Sequence, residues 1–87
     1  MIRYTQGDGT SKGKAIKITG ARTNFEGVDA EYALIRRDFK IIQKKWKLLF
    51  QELIHDNKHS FDRLVLRDEN GKVSEIWFDI SNFFGIW

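Results

Sequence analysis

The residues 7–14, "GDGTSKGK", place three glycines, two hydroxyl side chains and two lysines within eight positions. That composition suits a phosphate cradle. A P-loop needs G-x-x-x-x-G-K-[ST], because four spacers let successive backbone N–H groups wrap the phosphates while the last hydroxyl reaches magnesium. Counting back from Gly13 and Lys14 puts Asp8 at the first glycine position, and Ala15 stands where the hydroxyl is required. The dinucleotide pattern G-x-G-x-x-G, started from Gly7 and Gly9, meets Lys12 at its third glycine. Both motifs sit between a strand and a helix, whereas here only six residues precede the stretch and a strand pattern follows it. Residues 1–13 are therefore expected to form a flexible lead-in rich in turn residues, and no cofactor is expected.

Two histidines, His55 and His59, flank a loop with Asp56 between them. Two imidazoles and a carboxylate could begin a metal site, but a working site also needs a third or fourth ligand and an outer shell that orients them. None is evident, so two solvated turn histidines are expected and no metal. Asp62 and Asp79 stand near aromatic clusters, yet strand alternation sends them to opposite faces, which rules out paired acid–base work between them. No serine has a base and an orienting acid in view. The chain is expected not to be an enzyme.

The chain has 87 residues, no cysteine, twelve aromatic residues and a formal net charge of +3. A chain this short has room for one core and one domain. Absence of cysteine excludes a disulfide framework, thiolate zinc ligation and a cysteine nucleophile together. No apolar run approaches a membrane span and the N-terminus lacks the apolar centre of a secretion signal, so no membrane partner and a soluble, cytoplasmic chain are expected. The basic excess is far below that of dedicated nucleic-acid binders.

The elements that position these residues follow from hydrophobic periodicity. "KAIKIT" alternates and predicts a short strand closed by Gly20. Val28, Tyr32, Ile35, Phe39 and Ile42 then recur at helical spacing. Thr23 and Glu26 have capping-box spacing, and acidic residues gather at the start of this segment with basic ones at its end, as the helix dipole favours. The helical spacing could run on through Trp46, Leu49 and Leu53. "WKLLFQELI" also alternates, so the helix is read as ending near Lys44 and a strand as following, with Trp46, Leu48, Phe50 and Ile54 on one face.

Side-chain parity then selects the turns. A three-residue loop of Glu69, Asn70 and Gly71 pairs Leu66 with Ser74 and Leu64 with Ile76, which keeps the apolar faces apart. It gives Asp68 the first turn position and Gly71 the left-handed one. The same parity applied to the preceding loop pairs Leu48 with Leu66 and Phe50 with Leu64, leaving Asp56, Asn57 and Lys58 in the loop. "SNFFGIW" is expected to fold back onto the core edge. The predicted architecture is α+β, β-α-β-β-β: one antiparallel sheet, with a C-terminal three-stranded meander and one amphipathic helix on a face.

The stretches "GDGTS", "AIKI", "FEGVDAEY" and "FDISNFFG" resemble a group of small uncharacterised bacterial proteins that share a GDG-S lead-in, a GV-AEY helix start and an FDI--FFG ending. The likeness covers most of the chain in separate islands. It implies a stand-alone bacterial domain and brings no catalytic or binding residue with it.

A helix on one face of such a sheet leaves the other with a surplus of apolar residues. Leu49, Leu53, Phe61, Arg63, Val65 and Trp77 are expected there, with Leu49 beside Val65, Leu53 beside Phe61 and Arg63 beside Trp77. A tryptophan next to an arginine on an apolar patch is a hot-spot composition, so a protein-binding or self-associating module, meeting another protein or its own copy as a homodimer, is the leading expectation. The alternative is single-stranded nucleic-acid binding, with Phe61 and Trp77 as stacking platforms and Lys47, Arg63 and Arg67 as phosphate contacts. The basic run Arg36, Arg37, Lys40, Lys44, Lys45 is read as the solvated back of the helix.

Overall fold

The computed structural model describes residues 1–38 and 46–85. In chain order the elements are β1 (Arg3–Gln6), a single 3-10 turn (Lys12–Lys14), β2 (Ile16–Thr19), α1 (Asn24–Asp38), β3 (Trp46–Asp56), β4 (His59–Asp68) and β5 (Val73–Asp79). The five strands form one sheet in the order β1-β2-β5-β4-β3. The expected layering of one helix with one sheet is present, but strand count and order differ. Arg3–Gln6, within the stretch read as a lead-in, pairs antiparallel with β2. Its pattern was too short and too polar to read, since an edge strand four residues long has little apolar face to show. The sheet is also mixed, because β2 runs parallel to β5.

That parallel seam is narrow: Ile16 pairs with Phe78 and Lys17 with Asp79. The glycine-rich stretch extends it. The Trp77 N–H donates to the Gly9 carbonyl at 2.8 Å, and the Gly9 N–H donates to the Lys14 carbonyl at 2.7 Å. Gly9 has φ +83°, and a Cβ there would press on Ile16 and Ile76 at 3.0–3.2 Å, so the position requires glycine twice over. Asp8 accepts from the Thr10 N–H and hydroxyl at 3.0 and 2.7 Å, which closes the turn and holds the Asp8 carboxyl below its ordinary pKa. The stretch therefore continues the β2–β5 seam within the sheet, with the Gly9 N–H and carbonyl and the Asp8 carboxylate already engaged by the protein.

The meander follows parity where the strands are regular. Leu64 pairs with Ile76 and Leu66 with Ser74. Gly71 has φ +84°, and the Gly71 N–H donates to the Asp68 carbonyl at 3.1 Å while Asp68 Oδ1 accepts from the Asn70 and Lys72 N–H groups, both at 2.9 Å. The expected three-residue loop is the one that forms. Between β3 and β4 the expectation fails past Leu48. Leu48 pairs with Leu66, but the ladder then slips at Leu49, so Phe50 pairs with Val65 and Gln51 with Leu64. The next turn is Asn57-Lys58 alone, with Asp56 opposite His59. Leu48 therefore faces the helix while Phe50 and Ile54 face away from it. Parity could not find the bulge because one extra residue exchanges the faces without altering composition.

The core lies between α1 and the inner sheet face, with Ile16, Ile18, Leu64, Leu66, Ile76, Phe78, Ile80 and Phe83 against Ala30, Leu34 and Ile35. Each large apolar side chain so buried contributes roughly 1.5–3 kcal/mol. The buried helix stripe is Gly27, Ala30, Glu31, Leu34 and Ile35, whereas Val28 and Tyr32 are half-buried. The stripe is turned from its expected position because the small residues Gly27 and Ala30 allow closer approach than Val28 and Tyr32. Thr23 caps the helix, with the Glu26 N–H donating to Thr23 Oγ1 at 3.2 Å. The expected helix end near Lys44, the apolar positions Phe39 and Ile42, and the basic residues Lys40, Lys44 and Lys45 lie outside the described residues. No described helix is long and apolar enough to cross a membrane.

Residues 81–85 fold back onto the core edge as expected, through Phe83, which is fully buried. Its ring lies against the Gly27 backbone, where a Cβ would meet ring carbons at 2.1–2.4 Å. Gly27→Ala should therefore force the ring or the helix aside and destabilise the fold by about 1–3 kcal/mol. A urea denaturation midpoint unchanged from wild type would show that Phe83 does not pack there.

Candidate functional site

The outer face of the meander, turned away from α1, is arranged in cross-strand rows set by the register of β3, β4 and β5. Lys47, Arg67 and Val73 form one row; Phe50, Val65 and Glu75 the next; then Glu52, Arg63 and Trp77; then Ile54, Phe61 and Asp79. Arg63 organises the centre. Its guanidinium carbon lies 5.3 Å from the Phe50 ring centroid and 5.8 Å from that of Trp77. Its nitrogens reach Glu75 Oε2 at 2.7 and 2.9 Å and Glu52 Oε1 at 3.4 Å. The Trp77 indole N–H donates to Glu75 Oε1 at 3.0 Å. This bond, followed by the pairing with Arg63, holds the Glu75 carboxyl below its ordinary pKa. The cation thus lies beside two aromatic rings while three of its N–H groups are held by two carboxylates.

The expected surface residues separate. Phe61 and Val65 lie beneath the patch and are buried, with the Phe61 and Trp77 rings edge to face at 6.3 Å. Arg63 and Trp77 are half-buried. Leu49 is exposed at the bulge, and Leu53 is exposed but lies on the helix side, paired with Asp62 rather than Phe61. Phe50, expected in the core, is 49% exposed on the outer face. The bulge accounts for both exchanges. Of the residues expected to contact nucleic acid, Lys47 and Arg67 are exposed, Phe61 is buried, and Arg63 is engaged by carboxylates.

The N-terminal stretch also reaches across this sheet. The turn Lys12–Lys14 lies against β5, and Lys12 Nζ reaches Asp56 Oδ2 at 2.6 Å, which depresses the Asp56 pKa. The histidines do not converge: His55 pairs with Ser60, one residue out of phase with His59, so the two point to opposite faces. His55 Nδ1 lies 2.9 Å from Ser60 Oγ, and His59 Nδ1 lies 3.5 Å from Asp79 Oδ2. Among the described residues no group of three or more histidines, cysteines or carboxylates could hold a metal ion.

Asp62 and Asp79 occupy opposite faces. What the sequence did not reveal is that Asp62 meets Glu31, a helix residue read as part of an acidic helix start. Both are buried, at 3% and 1% exposure. Gln51 Nε2 donates to both Asp62 oxygens at 2.9 and 2.7 Å. No N–H or hydroxyl of the protein donates to either Glu31 oxygen. Burial first, and then a hydrogen bond toward the neighbouring Asp62 carboxyl and its charge, push the Glu31 carboxyl up to about 10. One clue was available: Glu31 lies four positions after Gly27 and one turn from Ile35, on the same helix stripe.

No protein-family model, curated protein or solved structure matches the chain.

Glu31 sets a pH dependence of stability. Its folded-state pKa is about 10 against an ordinary 4.5, so between those values the folded state keeps a proton that the unfolded chain has released. Stability is then full below the unfolded value and falls as pH rises, by roughly 1 kcal/mol per pH unit. Glu31→Gln should flatten that slope between pH 5 and 9 and raise stability at pH 9. Denaturation curves at pH 5, 7 and 9 with equal slopes in both proteins would refute the assignment.

Proposed function

We propose that this protein is a non-enzymatic, self-associating module whose outer sheet face docks on the same face of a second copy. The observation that carries this reading is the clamp of Arg63 between Phe50 and Trp77. It presents half-exposed aromatic surface around a cation already held by two carboxylates, so the arginine at its centre is paired before it is buried.

The charge arrangement favours a second copy over an unrelated partner. Lys47 and Arg67 make one end of the face basic, whereas Glu75, Glu52 and Asp56 lie progressively further along. A two-fold axis through the patch sets the basic end of each copy over the acidic part of the other, which satisfies both ends at once, as an isologous contact requires. Exposed apolar side chains at Leu49, Phe50 and Val73 border the same face. The likeness to small bacterial proteins, which implies a stand-alone domain, is compatible with this reading.

Sedimentation velocity should show a concentration-dependent dimer that weakens with added salt. Phe50→Ser should weaken it at least tenfold with unchanged circular dichroism, and Arg67→Glu should weaken it by reversing one end of the charge pattern. A wild-type chain that stays monomeric to millimolar concentration would overturn the proposal. So would Trp fluorescence quenched by single-stranded oligonucleotide and restored by salt, without self-association, which would move the face to nucleic acid.

A further inference from the structure

A cleft of about 570 Å³ opens on the other side of the sheet, lined by Asn24, Val28, Leu53, Ile80, Phe83 and Phe84, with Glu31, Gln51 and Asp62 at its polar part. We infer that this cleft is a binding site for a small organic cation: an ammonium head on an apolar stem.

Three observations converge on that chemistry. The volume falls within the range of small-molecule sites, and the wall is apolar with a few converging polar groups, the usual composition of such sites. The polar groups are acidic, which repels an anion. Neither oxygen of Glu31, a side chain 1% exposed, receives an N–H or hydroxyl donor from the protein, although leaving a buried acceptor without a donor is costly. An ammonium carries three donors and no acceptor. It can bond Glu31 while one donor turns to Asp62, whose remaining lone pairs are left free by the two bonds from Gln51.

Competing ligands fit less well. A hydrated divalent cation needs six or more oxygens around it, and Val28, Leu53, Ile80, Phe83 and Phe84 supply none on the facing wall. A hydroxyl offers one donor for the two Glu31 oxygens. The apolar residues instead suit the stem of an amine, with Phe84 offering ring surface to an aromatic one. Glu31 enters the complex as a carboxylate, so its proton leaves to solvent as the cation arrives, and the charge added by the ligand balances the charge released. The outer face takes no part, because Phe50 and Trp77 lie across the sheet.

Phenethylammonium, 2-phenylethanol and 3-phenylpropionate share a stem and differ in head, so titrating each into the full chain isolates the head group. The amine should shift the side-chain amide resonances of Gln51 and Asn24 and bind at least tenfold tighter than the alcohol, with the acid not binding. Calorimetry at pH 7 in two buffers of different ionisation enthalpy should show proton release on binding. Glu31→Gln should weaken the amine about tenfold or more. If that variant fails to fold, Leu53→Trp fills the cleft while leaving both carboxyls in the chain and should abolish binding. Equal affinity for amine and alcohol, undiminished affinity in either folded variant, or no shift at millimolar amine would overturn the inference, the last leaving Glu31 to water alone.

Discussion

In a β-strand, adding one residue exchanges the two faces for everything beyond it. The unpaired residue at Leu49 is such an addition, and most of what distinguishes this molecule lies downstream of it. Without the slip, Phe50 would be in the core against Leu64, and Gln51 and Leu53 would sit on the outer face. With it, Phe50 joins Val65 and Glu75 outside, Gln51 reaches Asp62 inside, and Leu53 borders the cleft. The outer aromatic patch and the inner carboxyl site are thus two results of one bulge.

The outer face handles its surplus of apolar residues by layering. Val65 and Phe61 are buried close to the sheet, and the larger Phe50, Arg63 and Trp77 roof them. A planar guanidinium stacks on rings while its edge bonds carboxylates, a combination an ammonium cannot reproduce. At the far end the N-terminal stretch takes over. Gly9 completes the hydrogen bonding of β5, and Lys12 ties the stretch to Asp56. A segment whose composition imitates a phosphate loop therefore spends the Gly9 carbonyl on β5 and the Gly9 N–H on its own turn.

The inner layer depends on close approach. Gly27 admits the Phe83 ring against the helix backbone, which draws residues 81–85 across one end of the core. The Tyr4 hydroxyl donates to the Ala30 carbonyl at 2.7 Å and links the edge strand β1 to the helix. Within this packed layer Glu31 is anomalous. Its burial raises its pKa and leaves both oxygens without an N–H or hydroxyl donor from the protein, so it detracts from stability where a leucine would add to it. Groups held in that condition cluster at binding sites.

The sequence by itself determined the elements whose signals are local: the β2 alternation, the Thr23 cap, the Asp68–Gly71 turn and the Leu64–Ile76 register. Each rests on a period, a cap or a turn residue within a few positions, and physical chemistry reads these without a partner. The tertiary structure alone decided the short β1 strand, the parallel seam between β2 and β5, the bulge at Leu49 and the meeting of Glu31 with Asp62. These are contacts between residues far apart in the chain, where several pairings keep the same apolar pattern. The choice among them is made by packing in three dimensions, and no count along a single strand or helix contains that information.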